Sequence, residues 1–442
     1  MKTSSRIKAA IEILEISDRE NTNIDNTITS YFRRRRFAGS GDRSAVKNRV
    51  YRVVRNRLKL AWWLHTGNGL KGIDQGRLLI LADVAFSDNL NLEEIDTLFD
   101  GTKNSPGILS AEEKKIYESM LGQKILNVEM PKAIGLECPE WIARRLEPIH
   151  NCRFEKDLLA LNQEAPFDLR VNPLHQPNRE KIIKSLRKIG IETEPTPFSP
   201  IGLRSKARKR IDSTRQYRSG LIEIQDEGAQ LAAILVDAKP GMQVADFCCG
   251  AGGKTLVMGG LMKNSGRILA LDISRKRLDV AGKRIKRAGL HNVERKCIRD
   301  EGDPKLKRLA KKFDRVLVDV PCTGMGTWRR DPDARRKYKE ADLGNIVDRQ
   351  TRILNAGARL TKPGGRLIYV TCSLLPDENE GQVAKFLCKR SDYKLIPIKR
   401  VWDETILVMK GKAFWAKDEM LKLSPYEYGT DGFFIAVFLR SS

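Results

Sequence analysis

Two hydrophobic periods divide this chain. Before residue 140, apolar positions recur at three- and four-residue spacing. Val46, Val50, Val53, Val54, Leu58 and Ala61 fall on one face of a helix predicted over residues 43–64. Residues 78–85 and 116–125 continue in the same period, and nothing before residue 140 alternates as a strand does. Pro139 opens a further helix that Pro148 is expected to stop. Residues 167–172 read as a strand and 178–189 as a helix, and Pro195, Pro197 and Pro200 then mark a turn-rich connection. From about residue 221 strands and helices alternate, which predicts an α/β domain with a doubly wound parallel sheet. The expected regions are therefore an all-α 1–138, a linker helix with a small mixed segment over 139–220, and an α/β 221–442.

Within the last region three strand-like runs end in chemistry. Gln243-Val244-Ala245-Asp246-Phe247 runs into Cys248-Cys249-Gly250-Ala251-Gly252-Gly253-Lys254-Thr255, a glycine-rich turn that feeds a helix. It is neither the dinucleotide GxGxxG nor a Walker loop, but a strand-to-helix turn of this kind suits an anionic group. The run at Ile268 ends in Asp272, an acid placed to accept hydrogen bonds from ribose hydroxyls. Arg315-Val316-Leu317-Val318 leads into Asp319-Val320-Pro321-Cys322, and Arg366-Leu367-Ile368-Tyr369-Val370 into Thr371-Cys372-Ser373. Both cysteines thus belong at the carboxyl ends of parallel strands, where open α/β sheets bind ligands. A cofactor loop and two thiols on one sheet edge point to a covalent transferase in which sulfur has two roles.

Charge narrows the partner. With 81 Lys and Arg against 56 Asp and Glu, the chain carries +25 over 442 residues, spread along its whole length, which favours nucleic acid over a membrane surface. Arg33-Arg34-Arg35-Arg36 beside Phe37 reads either as a phosphate contact or as a solvated helix end. The longest apolar stretch, 78–86, is broken by Asp83 and too short to span a bilayer; no secretory signal opens the chain. Eight scattered cysteines, no CxxC and four histidines argue against a disulfide framework or a metal site, and for reduced thiols in a cytoplasmic protein.

Residues 246–255, Leu271-Asp272, Asp319 to Gly326, Lys362-Pro363-Gly364-Gly365 with Tyr369 to Ser373, and Gln225-Asp226-Glu227 with Gln230 together resemble the RsmB/Nop/Sun family of S-adenosylmethionine-dependent RNA cytosine-5 methyltransferases. The resemblance covers about 165–440. It implies a Rossmann-like catalytic sheet preceded by a small ferredoxin-like α+β segment. More weakly, residues 1–138 resemble the NusB-like RNA-binding domain of bacterial 16S rRNA members. A monomer acting on 16S rRNA, with no metal, is the implied protein.

By this resemblance Cys372 is the nucleophile, Cys322 assists product release, and Asp319 hydrogen-bonds the cytosine ring. The implied cofactor residues are Cys248, Cys249, Gly250, Ala251, Gly252, Gly253, Lys254, Asp272, Arg277, Asp300 and Asp319, with Asp303 the rival of Asp300 for the adenine amine. The family loop usually reads Cys-Ala-Ala-Pro-Gly-Gly-Lys-Thr, so Cys249-Gly250-Ala251 is a departure that keeps small residues. The thiols of Cys248, Cys297 and Cys388 are read as small buried hydrophobes. Residues 324–330 read as a substrate loop, with Arg329 and Arg330 for phosphate and Trp328 either stacking a base or packing in the core. A non-catalytic RNA-binding assembly factor, or the same chemistry on tRNA or DNA, are the alternatives.

Overall fold

The helical period resolves into separate helices, of which the first seven are Thr3–Glu20, Ile24–Arg34, Ser40–Arg55, Arg57–Thr66, Gln75–Ser87, Leu92–Leu98 and Ala111–Met120. In this computed structural model the described residues are 1–66, 75–150, 153–175, 178–406 and 419–442. Val46, Val50, Val53 and Val54 are buried as their spacing requires. The single helix expected over 43–64 is two, however. The first ends at Asn56, and the second begins where the amides of Leu58 and Lys59 donate to the Glu137 carboxylate, each at 3.0 Å. A buried acid caps this helix start from 80 residues downstream, which no local pattern announces. The helix expected to reach residue 125 stops at Met120, and Glu140–His150 runs through Pro148 rather than ending there.

Contact density divides the chain into Met1–Asn162 with Asp331–Tyr338, and Gln163–Arg330 with Lys339–Ser442. The contact break falls at 162/163. Residues 331–338 belong to the helical unit through contacts of their own: Arg335 donates to the Arg55 carbonyl at 3.2 Å and to Asn162 Oδ1 at 2.8 Å.

The second unit holds two sheets. Strands β1 (Phe167–Val171), β2 (Thr193–Pro195), β3 (Gly202–Ser205) and β4 (Ile222–Ile224) form an antiparallel sheet in the order β2-β3-β1-β4, with helix Arg179–Arg187 between β1 and β2. This is the expected ferredoxin-like segment, closed over Leu169, Ile182, Leu186 and Leu203. The Gln225–Gln230 motif fixes it to the larger sheet. The Glu227 carboxylate accepts the Phe198 and Ser199 amides at 2.6 and 2.7 Å, and buried Gln230 donates to the Leu169 and Gln225 carbonyls.

The larger sheet comprises β5 (Gln243–Phe247), β6 (Arg267–Asp272), β7 (Val293–Cys297), β8 (Phe313–Asp319), β9 (Thr361–Thr371), β10 (Tyr393–Leu395), β11 (Leu421–Leu423) and β12 (Phe433–Arg440). Its order is β10-β12-β9-β8-β5-β6-β7, with β11 beside β12. β5 to β9 run parallel; β12, β10 and β11 pair antiparallel. Val316–Val318 and Leu367–Val370 are fully buried, as continuous apolar runs in a two-sided parallel sheet should be. Chain order reverses between β5 and β8, which opens a crevice at their carboxyl ends. This is the α/β Rossmann-like architecture expected from the sequence. Among the described residues no helix is long and apolar enough to cross a membrane.

One close approach locks that edge. The Gly326 amide donates to the Cys372 carbonyl and the Gly432 amide to the Gly326 carbonyl, each at 2.8 Å. A Cβ on Gly326 would lie 2.3 Å from the Gly432 oxygen, a backbone atom that cannot swing away. Gly326→Ala is therefore expected to lower unfolding free energy by about 2 kcal/mol or more, measured by urea denaturation.

Candidate active site

The loop after β5 alternates handedness. Cys248, Gly250 and Gly252 have φ of +66°, +57° and +80°, so successive peptides turn their edges toward the crevice. Gly252 has a second reason to be glycine, since its Cβ would stand 3.1 Å from that of Ala281. Asp272, at the end of β6, props this loop: Oδ2 accepts the Gly250 amide at 2.8 Å and Oδ1 the Ser274 amide at 2.7 Å. Each oxygen retains a lone pair for a further donor.

Asp246 lies beneath the loop, 1% exposed. The Thr255 hydroxyl donates to its Oδ2, while Oδ1 is buried without a partner. Burial, reinforced by the charges of Asp319 and Asp272 and opposed by Thr255 and Lys254, pushes this carboxyl up to about 7.

Across the crevice Lys254 Nζ donates to Asp319 Oδ2 at 2.6 Å and lies 5.4 Å over the Phe433 ring. Burial works against the ammonium, but Asp319, with a smaller contribution from Cys372, holds its pKa above the ordinary value. Beside them the sulfurs of Cys322 and Cys372 are 3.3 Å apart. The hydrogen bond to Cys372, then burial, drives the Cys322 thiol well above its usual value.

What holds two sulfurs from different strands at this spacing is Glu378, fully buried in the turn Pro376–Glu378. Oε1 accepts the Thr323 amide at 2.8 Å and Gln350 Nε2 at 2.9 Å; Oε2 accepts the Thr323 hydroxyl at 2.6 Å and the Ser373 hydroxyl. Thr323 follows Cys322 and Ser373 follows Cys372, so one carboxylate grips both thiol-bearing loops. Asn379 adds a second tie, accepting from Thr371 at 2.6 Å and donating to the Ser373 carbonyl at 2.9 Å.

The structure thus gathers Cys322, Cys372, Asp319, Lys254, the 248–253 loop and Asp272 on one edge. Asp300 and Asp303 both lie past β7. Asp303 is 6% exposed, with both oxygens engaged by the Arg299 and Lys305 amides, whereas Asp300 is more open and accepts the Gly302 amide at 2.8 Å. Arg277 is exposed on the first turn of Arg275–Arg287.

The substrate-loop reading needs correction. Trp328 is 2% exposed, so it packs in the core and does not stack a base. Arg329 and Arg330 bind Asp431 and Asp226 instead of phosphate: Arg329 Nε is 2.6 Å from Asp431 and Arg330 Nη2 is 2.8 Å from Asp226. Burial and the neighbouring Asp226 charge, opposed by the two arginines, raise Asp431 to about 6. Cys388 is exposed, and Cys248 and Cys297 are half-buried, so none is the buried hydrophobe expected. Sequence reading missed Glu378, Asn379 and Gln350. Their one local signal was that Glu378-Asn379 follows Cys372 within seven residues, in a turn that reads as solvated surface.

Comparison with known proteins now has a geometry to explain. Residues 233–439 match the family described as 16S rRNA methyltransferase RsmB/F, and 138–212 match the RsmF/B-like ferredoxin-like domain. The region 233–439 of the chain belongs to the RsmB/F family. A ribosomal RNA small subunit methyltransferase B from Photorhabdus laumondii is 33% identical over 257 residues, 58% of this chain and 59% of that protein. A probable one from Synechocystis is 33% identical over 303 residues, 67% of this chain and 66% of that protein. The match therefore spans less than two thirds of these relatives' length. Among solved structures, a methyltransferase homologue from Pyrococcus horikoshii shares 29% identity at TM-score 0.59, covering 70% of this chain and 97% of its own. PH0851, at 24% identity and TM-score 0.79, covers 99% of each chain and shows the fold.

S-adenosylmethionine is the cofactor of this family, and the residues fit it. The loop 248–253 presents backbone to the crevice, Gly252 admits no side chain, and Asp272 keeps lone pairs for a ribose.

Two outcomes follow. The folded pKa of Asp246, about 7, stands above its ordinary 3.8. The folded state thus keeps a proton that the unfolded chain releases, so stability should fall as pH rises from about 4 to 7 and level off above. Asp246→Asn should remove that slope in denaturant titrations run across this range. Glu378→Gln places a donor where four donors converge, leaving at least one unsatisfied, and should cost about 1–3 kcal/mol in chemical denaturation with loss of methyl transfer. Wild-type stability and turnover would show the clamp to be dispensable.

Proposed function

We propose that this protein transfers a methyl group from S-adenosylmethionine to carbon 5 of a cytosine in RNA, with 16S ribosomal RNA the expected substrate, through a covalent bond between a cysteine and the base. The observation that carries the reading is the pair of thiols 3.3 Å apart at the ends of β8 and β9, facing the cofactor loop of β5. The relatives' names support ribosomal RNA as the target.

Bound S-adenosylmethionine supplies an electrophilic methyl. The loop 248–253, Asp272 and Asp300 are the residues to hold it, while Lys254 is engaged with Asp319. Carbon 5 of cytosine is a weak nucleophile, which is why sulfur is needed. Attack of Cys372 on carbon 6 forms a C–S bond and shifts electron density to carbon 5, so that one hard step becomes two easier ones. Cys372 is the better attacking sulfur because its neighbour Cys322, 3.3 Å away, is a thiol whose pKa is raised by that contact and by burial, and a protonated thiol is the weaker nucleophile. Asp319, at the β8 end, is placed to hydrogen-bond the ring as charge develops on it, and Lys254 keeps that carboxylate oriented at 2.6 Å. After methylation the proton on carbon 5 passes to water, the freed C–H electron pair restores the C5–C6 double bond, and the Cys372 sulfur leaves as a thiolate. Cys322, adjacent to that sulfur, serves this release.

The experiment is a denaturing gel of each single cysteine variant with labelled 16S rRNA and S-adenosylmethionine. Cys322→Ala should accumulate a protein–RNA adduct that disappears in the Cys322→Ala/Cys372→Ala double variant, while Cys372→Ala should give neither adduct nor product. An adduct with Cys372→Ala alone would reverse the two roles. Wild-type turnover by both single variants would end the covalent reading.

A further inference from the structure

Arg329 and Arg330 are committed to Asp226 and Asp431, so the positive surface for a polyanion must be sought elsewhere. The helical unit offers one. A cavity of 550 Å³ opens between Thr3–Glu20, the end of Ile24–Arg34 and the loop at residues 100–105, with Lys2, Lys8, Arg35, Phe37, Lys103 and Asn104 in its wall. That volume lies in the range of small-ligand sites and accommodates a nucleotide.

Charge and shape favour RNA. The two wall carboxylates are already answered: Glu12 accepts from Tyr31 at 2.7 Å and from Arg35 at 3.2 Å, and Asp100 accepts the Thr102 amide at 2.8 Å. Arg35 itself stacks 3.8 Å over the Tyr31 ring, which fixes that wall. Lys8 and Lys103 remain as surplus cations, Lys8 oriented by its bond to the Lys103 carbonyl at 2.9 Å. Flanking the wall residue Arg35 in sequence, Arg33, Arg34 and Arg36 are exposed. Phe37, which follows this arginine run and lines the cavity, is 77% exposed, an aromatic face held in water. Cations for phosphates interleaved with a free aromatic face for a base are the parts of a single-strand binding site.

We propose that this cavity and its rim bind single-stranded RNA, one base stacking on Phe37, its flanking phosphates meeting Arg33, Arg34 and Arg36, and the neighbouring nucleotide entering between Lys8 and Lys103. This rests on the RNA-methyltransferase reading and gives the helical unit a defined contact within it.

The test uses the full chain, a fluorescent twelve-nucleotide oligouridine as probe, and a salt series. Phe37→Ala should weaken binding about tenfold with an unchanged salt slope, and Phe37→Trp should restore it. Replacing Arg33, Arg34 and Arg36 by Gln should instead flatten the slope of log affinity against log salt by about 2. All three sites are exposed, so melting temperatures should match wild type. Unaltered affinity in Phe37→Ala, no binding of the probe by wild type, or equal Phe37-dependent binding of polyglutamate would each overturn the proposal. Tritium transfer to 16S rRNA, run in parallel, separates this failure from that of the parent reading. Turnover by wild type with no rise in KM in Phe37→Ala sinks the RNA subsite alone, whereas absence of turnover by wild type sinks the methyltransferase.

Discussion

Everything on the catalytic edge depends on one buried carboxylate. Glu378 adds to the direct bonds between the loops bearing Cys322 and Cys372, which include the Gly326 amide on the Cys372 carbonyl and the Thr323–Ser373 hydroxyl contact at 3.2 Å. Its two oxygens take four donors, two of them from Thr323 and one from Ser373. Burying an acid this deeply is unfavourable unless its hydrogen bonds are made, and here they are made by the residues adjacent to the sulfurs. The requirement to satisfy the acid and the requirement to hold the thiols are therefore met by the same contacts.

A second constraint of the same kind fixes the roof of the site. Asp226 and Asp431 lie within hydrogen-bond reach of one another's backbone or side chain, and Arg329 and Arg330 enter between them. Like charges at this separation need the two guanidinium groups, and the guanidinium groups need the acids, because all four are substantially buried. The result ties the loop after Cys322 to the Gln225–Gln230 motif and to the start of β12. The ferredoxin-like segment, the cysteine loop and the sheet edge thus form one connected structure.

Much of this was legible in the sequence. Strand runs ending at Asp246, Asp272, Asp319 and Thr371 located the sheet edge, since a parallel sheet demands buried runs and leaves chemistry at their ends. Asp319, Lys254, Cys322 and Cys372 do meet there. The helix breaks were less legible, because Glu137 caps Arg57–Thr66 from far along the chain. Trp328 and the two arginines were ambiguous for a similar reason: Trp-Arg-Arg reads as nucleic-acid binding until the partners Asp226 and Asp431 are known, and these lie about 100 residues away on either side. Glu378 was invisible because four donors from three residues far apart in sequence give a glutamate its role, and its own neighbours describe only a turn.

The pairing of Lys254 with Asp319, and of Arg329 and Arg330 with Asp226 and Asp431, has a kinetic consequence. Lys254, Arg329 and Arg330 beside the thiols are matched by acids, while Asp272 and Glu378 add negative charge, so these cations offer little surplus positive charge with which to attract a polyanion. Long-range attraction must come from the outer surface, where the remainder of the +25 resides. For the proposed RNA substrate, capture and chemistry would thereby be separated: ionic strength would govern how often it arrives, and short-range contacts would govern what happens to the base.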